Sequence, residues 1–584
     1  MLQIEALTAR PRYADHSRET FDAAIDTALE IATEKFATHN RKADEHEPEF
    51  DGQRVSMIPE VKAALDAFCS SGFMAATKDY EQGGMQLPVT VAQACLALFN
   101  AANVSTSAYP FLTIANANLI EAFGSEQQKR RYLRPLLTGR YFGTMALTEP
   151  QAGSSLSDIK TTAVPTDAGH HLIAGNKIFI SAGDHELSEN IIHLVLARLR
   201  DAPPGVKGIS LFIVPKFLVN DDGTLGARND VALSGLIHKM GYRGTTSTML
   251  NFGEHGNCVG YLVGEPHKGL AYMFHMMNEA RVGVGLGAVA LGYSAYLHAL
   301  AYARERPQGR PPAGKDPLKP QVPIIEHADV RRMLLAQKAY VEGGLALCLY
   351  AARLVDDQYT AEKEQARREA ALLLEILTPI VKSWPSQYCL EANSLAIQVH
   401  GGYGYTREYP VEQLYRDNRL NAIHEGTHGI QALDLLGRKV GLQDGAALQL
   451  LMREIDRTLR EVRECESSDL RTHAKDLAEA VDGLMETTRN LMCATSGGEA
   501  ELALANASVY LEMMGHIAVA WMWLRQARVA LAALQSGATE PDFYQGKLQA
   551  CAYFFRWELP KTQPQKNLLN GMDRSCFEMQ SGWF

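Results

Sequence analysis

Apolar residues recur at helical spacing through the first quarter of the chain. Thr20 to Phe36 and Glu60 to Cys69 place them three and four positions apart, and Val91 to Phe99 and then Ala108 to Phe123 continue the pattern. Ser125-Glu126-Gln127-Gln128 has the spacing of a capping box, which predicts a helix start just before Lys129-Arg130-Arg131. From Phe142 to Leu262 the pattern changes. Short β-branched or aromatic runs appear at Phe142–Leu147, His171–Ile173, Lys177–Ile180, Ile191–Ala197, Ile209–Pro215 and Thr248–Phe252, separated by Gly, Asp and Pro. They predict the strands of a compact all-β unit. Helical spacing resumes at Gly269 and persists to about Gly437, interrupted by a Pro-, Gly- and Lys-rich loop from Pro307 to Pro323. Past Gly441–Gly445, a stretch from Ala446 to about Gln535 has heptad-like apolar spacing at Leu448, Leu451, Ile455, Leu459 and Val462, and the tail from Thr539 is mixed. The pattern predicts a multidomain α+β chain: an N-terminal helical domain over 1–140, a middle β domain over 141–264, a helical domain over 265–440 and a C-terminal helical extension over 441–584.

Composition narrows the classes. With 584 residues, 46% hydrophobic and 21% charged, the chain is long and apolar enough for a large core, which removes collagen-like, coiled-coil-only and disordered readings. Lys and Arg number 57 against 67 Asp and Glu, a net charge of −10, which argues against a general nucleic-acid binder. The nine cysteines are scattered and never spaced Cys-x-x-Cys, so neither a disulfide framework nor a thiolate zinc site is expected. Together with an N-terminus lacking a signal-like apolar stretch, they point to a cytoplasmic protein. Val282 to Ala303 carries no Asp, Glu, Lys or Arg and has the length of a membrane span, but its several glycines and His298 read as a buried core helix.

Four segments bear on chemistry. His424-Glu425-Gly426-Thr427-His428 matches the His-Glu-x-x-His string of zinc hydrolases, with Asp434 where some place a third ligand. Gly426 and Thr427 are poor helix formers for such a ligand helix, and no metal is expected. Gly285-Leu286-Gly287 partly matches a dinucleotide fingerprint, but a helical pattern and not a strand precedes it, so close helix packing is the better reading. Ala146 to Ser154 closes an apolar strand and opens a loop with backbone donors and hydroxyls, suited to a polar ring or phosphate or simply to a structural turn. Gln398-Val399-His400-Gly401-Gly402-Tyr403-Gly404-Tyr405, followed by Arg416-Asp417 and Ile423 to Thr427, couples a double glycine to a carboxylate. That combination supports either a ligand site with a carboxylate base or tight packing beside a surface Glu.

In the order of these last two segments, the helix–β–helix plan and the run Asp417…Glu425-Gly426-Thr427…Ile430-Gln431, the chain resembles the acyl-CoA dehydrogenases over about residues 20 to 440. The extension is similar to that of larger bacterial members, among them long-chain and 3-(methylthio)propanoyl-CoA dehydrogenases. The resemblance implies an N-terminal helical domain, a β-barrel-like middle domain, a C-terminal helical bundle and an extra helical domain. It implies an FAD-dependent α,β-dehydrogenation of an acyl-CoA that yields a trans-2-enoyl-CoA. By that resemblance Glu425 would abstract the C2 proton, the flavin would accept hydride from C3, and an electron-transfer flavoprotein would take the electrons. The implied substrate is a medium- or long-chain fatty acyl-CoA of β-oxidation, with a short-chain or thioether acyl-CoA as the alternative.

The same resemblance implies FAD contacts at Met145, Leu147, Thr148, Gly153, Ser154, Phe179, Ile180, Ser181 and Thr427. Arg306, Gln398, Gly401 and Gly402 would reach FAD across a homodimer. Substrate contacts fall at Ser154, Arg281 and Gly426, and the acyl tunnel floor near Ala108 to Leu119, where Tyr109 and Phe111 could close it. Membrane contact would be peripheral at most. This chain departs from the family pattern at Ser155, where an Asp is usual, at Phe179 in place of Trp, at Gln413, at His424 and His428, and at Pro307 to Arg310.

Overall fold

The computed structural model describes residues 1–314 and 316–584, with the backbone alone at 275, 277–279 and 314. Lys315, inside the expected Pro307–Pro323 loop, lies outside the described residues. The chain divides into two compact units, residues 11–283 and residues 1–10 with 284–584.

In the first unit the helices Arg18–Ile31, Pro59–Ser70 and Val89–Phe123 gather around a cluster of Phe36, Phe68, Phe73 and Phe99, with ring centroids 4.9 to 6.4 Å apart. The two helical runs expected within 91–123 are separated by Asn103, whose φ of −164° and ψ of 91° leave the helix. Its carboxamide oxygen accepts from Thr106 N at 3.0 Å, an N-cap for the second run, and its Nδ2 donates to the Phe36 carbonyl. The capping box at Ser125 forms, with Gln128 and Ser125 exchanging both side-chain–backbone bonds.

The β region is an eight-stranded sheet. Its path runs Val231–Leu236, Ser247–Phe252, His171–Ser181, Val259–Leu262, Ile209–Pro215, Asn190–Leu199, Tyr141–Ala146, with Thr162–Pro165 paired beside the third and sixth. Pairing is antiparallel except where Tyr141–Ala146 and Thr162–Pro165 run parallel to Asn190–Leu199. Ile173, Ile180, Val195, Phe212, Val214, Leu250 and Phe252 fill its core. The separate runs expected at 171–173 and 177–180 are one strand. Gly175 splits the apolar pattern because a Cβ there would lie 2.4 Å from Thr161 Oγ1, where the neighbouring chain passes.

In the second unit, residues 284–305 complete the helix Gly269–Glu305 and are largely buried. Its glycines serve packing: a Cβ on Gly285 would sit 2.0 Å from the Val381 carbonyl, and one on Gly292 would sit 2.8 Å from Cys389 Cβ. The helices Ala328–Thr360 and Glu364–His400 pack along one another. The loop after Glu305 is closed at its base by Gln308 N donating to the Val322 carbonyl. The extension forms helices Ala446–Arg463, Ser468–Ser496 and Ala507–Gln535, and the tail expected to be mixed is mainly helical, at Pro541–Tyr553 and Thr562–Asn570. All five heptad-like residues of 446–463 are buried. The extension shares a core with the preceding helices. Trp523 Nε1 donates to the Ala339 carbonyl at 2.9 Å beside Gly343, and Gly515 leaves no room for a Cβ against Trp384, which would stand 2.5 Å away. Among the described residues, Val89–Phe123, Ala280–Glu305 and Ala507–Gln535 are long and apolar enough to cross a membrane by length and composition.

Candidate functional site

Glu425 lies in a turn between the short helical turn Leu420–Ala422 and the helix His428–Asp434. Two consecutive residues are left-handed, Glu425 at φ +54° and Gly426 at φ +89°. For a glutamate this is a strained conformation that surrounding structure must hold. Two side chains do so. Gln431 Nε2 donates to the Glu425 carbonyl at 3.0 Å, and Lys382 Nζ, from the fully buried Lys382, donates to the Gly426 carbonyl at 2.7 Å. Thr427 caps the following helix by accepting from Ile430 N, which leaves its O–H to donate.

The His-Glu-x-x-His string does not form a ligand helix. His424 precedes the left-handed turn and His428 follows it. His424 Nε2 meets Asn421 Oδ1 at 3.0 Å, and burial pushes the imidazole down to about 3, so it is neutral. His428 Nδ1 meets Ser383 Oγ. Among the described residues no three His, Cys, Asp or Glu side chains gather as a metal site. Asn421 continues into a buried amide chain through Asn418 and Asn393, which anchors the turn's N-terminal side to the helix at the Leu291 carbonyl.

Lys382 and Asn421 are not legible from the motif, because they act on backbone or on other side chains. The signal for Lys382 is a lone lysine between Ile380-Val381 and Trp384, in an apolar helical run where a charge needs a partner. Gly426→Ala is expected to lower kcat by about 10²-fold, a loss typical of a small displacement near the chemistry. The added Cβ at φ +89° would meet Gln431 Nε2 at 2.5 Å and shift the turn. Steady-state kinetics with a melting curve check it; an unchanged kcat would remove the turn's geometry from the mechanism.

In the first unit, the strand Tyr141–Ala146 ends in the loop expected to face a flavin. Met145 is buried and Leu147 and Thr148 are half-buried. Gly153 and Ser154 are exposed, and a Cβ on Gly153 would touch only Thr148 Cγ2, at 3.9 Å. Ser155, at the departure from the usual Asp, hydrogen-bonds Asp158 Oδ2 at 2.9 Å. The loop is tied to the strand His171–Ser181 by Ile178 N, which donates to the Thr148 carbonyl, and by Lys177 Nζ, which donates to the Leu147 carbonyl at 3.0 Å.

Lys177 also pairs with Glu149 at 2.9 Å, both side chains almost fully buried. Burial alone would raise the Glu149 carboxyl, but the Lys177 ammonium and donors from Lys160 N and Thr161 hold it down to about 2. Burial pulls the Lys177 ammonium down to about 8 against the attraction of Glu149.

One step further along that strand, Ile178 and Phe179 oppose the single residue Met249. This bulge puts Phe179 at φ +59° and leaves the residue 61% exposed. Ile180 is buried, and Ser181 is half-buried opposite Ser247. Arg281 is also buried in this unit, 5.9 Å over the Phe274 ring. Tyr109, expected near the tunnel floor, is fully buried. Its hydroxyl accepts from Thr246 N and donates to the Gly244 carbonyl, so it is fixed against the β unit.

The second unit gathers the remaining residues. Arg306 lies 5.7 Å over the Tyr403 ring, beside Gly401, Gly402 and the stacked pair Tyr302–His400. Gln398 is exposed, and its carbonyl accepts from Gly401 N at the helix end. Cβ atoms on Gly401 and Gly402 would meet nothing within 4 Å, so their backbone borders open space. Within the first unit, an exposed aromatic face on a bulge and a loop with room against its backbone fit a flavin ring; within the second, a guanidinium beside open glycines fits a diphosphate.

Comparison with known proteins follows the same division. Residues 18–140, 144–254 and 267–440 match the families described as acyl-CoA dehydrogenase N-terminal domain, middle domain and C-terminal domain. Residues 451–580 match the family described as acetyl-CoA dehydrogenase C-terminal like. The chain is 40% identical to the 3-methylmercaptopropionyl-CoA dehydrogenase of Ruegeria pomeroyi, over 94% of this chain and 92% of that one. It is 35% identical to the broad-specificity linear acyl-CoA dehydrogenase FadE5 of Mycobacterium tuberculosis, over 97% and 95%. A structure of a Bacillus anthracis acyl-CoA dehydrogenase complexed with FAD shares the fold, with a TM-score of 0.75 at 20% identity over 96% of this chain and 90% of that one. From its N-terminal helices through its C-terminal extension, the chain belongs to the acyl-CoA dehydrogenases.

Proposed function

We propose that Glu425 is the base that takes the C2 proton of a linear acyl-CoA. The observation that carries this reading is the strained Glu425–Gly426 turn, pinned by Lys382 and Gln431. The C2–H is a weak acid, so a rigidly placed carboxylate and a donor for the thioester oxygen are both needed. In this reading the Glu425 backbone N–H is that donor, and Gly426 keeps the approach to the thioester open. An acyl chain lying against Glu425 strips water from the carboxylate and raises its pKa, making it a stronger base. Bound FAD supplies the acceptor for the hydride that leaves C3 as the enoyl double bond forms.

Met145, Leu147, Thr148, Gly153, Ser154, Ile180 and Ser181 hold the flavin in this reading, with Phe179 against its ring and Thr427 donating to it. Ser154 and Arg281 serve the substrate. The chain works as a homodimer, with Arg306, Gln398, Gly401 and Gly402 reaching the FAD of the second subunit. Reducing equivalents pass to an electron-transfer flavoprotein. A cytoplasmic location is supported by nine free cysteines, five of them buried.

The substrate in this reading is a medium- or long-chain fatty acyl-CoA. A short thioether acyl-CoA is the second reading, favoured by the 40% identity to the Ruegeria enzyme. Anaerobic titration of the holoenzyme with palmitoyl-, octanoyl- and 3-(methylthio)propanoyl-CoA tests both. Bleaching of the flavin band by palmitoyl- or octanoyl-CoA supports the first, and bleaching by the thioether alone selects the second. A flavin that no thioester bleaches overturns the activity.

A further inference from the structure

The second unit contains a cavity of about 370 Å³ that shares no lining residue with the Glu425 turn. Leu345, Leu349, Val529 and Phe543 supply apolar wall. One end is polar. There Glu342, nearly fully buried, is paired with Lys338 at 2.6 Å and Lys547 at 2.9 Å, and Tyr293 approaches it at 3.4 Å. Both of its oxygens are thereby engaged.

The donors are not. Lys547 gives one N–H to Glu342 and one to Gln526 Oε1, so a third remains of its three. Gln526 Nε2 is buried and has no acceptor at all. Two ammoniums against one carboxylate leave a surplus positive charge at this end. A buried amide N–H left unmade beside a surplus cation is a costly arrangement in a folded protein, and one that an anionic acceptor would relieve.

We propose that this cavity is a second ligand site, which takes a small carboxylate carrying a short apolar chain. The carboxylate accepts from Gln526 Nε2 and from the remaining N–H of Lys547, and the chain lies against Leu345, Leu349, Val529 and Phe543. The volume falls at the lower end of the range for small-molecule sites, which suits a fatty acid rather than a nucleotide conjugate. Glu342 stays charge-balanced by its two lysines and does not repel the ligand.

Calorimetry on the holoenzyme with octanoate tests it, with octan-1-ol as the uncharged probe. The competition arm rests on the dehydrogenase reading, because octenoyl-CoA is used to fill the thioester site. The expected result is saturable binding of one octanoate per chain, undiminished by octenoyl-CoA, with octan-1-ol weaker by about tenfold or more. Gln526→Leu, which removes the unmade donor, and Ala530→Phe, which fills the cavity, should each weaken octanoate by about tenfold or more. Gln526→Leu keeps the side-chain size, so its melting point and FAD content should match the parent even if Ala530→Phe folds poorly. Three results would each overturn the proposal: no saturable binding up to about 10 mM, displacement by octenoyl-CoA, or undiminished binding in a folded Gln526→Leu protein.

Discussion

Glu425→Gln is expected to abolish nearly all turnover while FAD stays bound. The amide has the size of the carboxylate but cannot accept the C2 proton. General-base catalysis contributes about 10²–10⁴-fold, so reduction of the flavin by octanoyl-CoA should slow by about that factor. The turn itself should survive, because Gln431 and Lys382 hold the backbone carbonyls of Glu425 and Gly426 and not the carboxylate. Stopped-flow bleaching gives the rate, and the visible spectrum of the untreated variant gives the flavin content. A variant that bleaches at the parent rate would dismiss Glu425 as the base.

Lys177→Met should cost more stability than any other single change discussed. It leaves Glu149 buried with its charge unpaired and removes the ammonium from the Leu147 carbonyl. Breaking a buried pair by deleting one partner costs about 3–5 kcal/mol. The loop from Leu147 to Ser154 loses both of its Lys177 ties to the Phe179 strand and keeps the Ile178 N to Thr148 carbonyl bond, so FAD affinity should fall alongside stability.

The pH dependence distinguishes this pair from generic packing. The Glu149 carboxyl is held at about 2 in the folded protein, against an ordinary value of 4.5. Because the folded value is the lower one, its contribution, roughly 3 kcal/mol, is full above pH 4.5 and is lost as the pH falls towards 2. In Lys177→Met the carboxyl loses its main counter-charge, so stability should fall less steeply across that window. Urea unfolding at a series of pH values measures both slopes, and equal slopes would refute the pairing as the cause. The double variant Lys177→Met/Glu149→Leu should recover much of the loss, since no unpaired charge remains.

The helical halves of the fold are legible in the sequence because each buried face repeats with the helical period. The break between 91–99 and 108–123 is visible too, and its cause is Asn103, which caps one run by leaving the other. The sheet is less legible. Thr162–Pro165, Val231–Leu236 and Val259–Leu262 are short strands with one buried residue each among half-buried or exposed positions, so no long apolar run announces them. The helices of the tail are missed because their faces are only partly apolar and their stability comes from docking.

At the site, Glu425 and the glycines can be found because a carboxylate beside Gly and a double glycine are unusual strings. What the string does not carry is geometry. The left-handed Glu425, the bulge that exposes Phe179 and the buried Lys382 all depend on residues far away in sequence. The same gap makes His424 and His428 look like metal ligands, when they lie on opposite sides of a turn.

The close fit of Gly515 against Trp384 reaches beyond packing. Trp384 stands two residues from Lys382 on the same helix, so the helix that carries the pin of the Glu425 turn is itself seated, through Trp384, on the extension's helix Ala507–Gln535. Local opening of the extension would withdraw the support of the segment that holds the Glu425 turn. Amide hydrogens in the two helices should then exchange with solvent as one cooperative unit, and the lifetime of the Glu425 turn would be set by a region that contributes no atom to it.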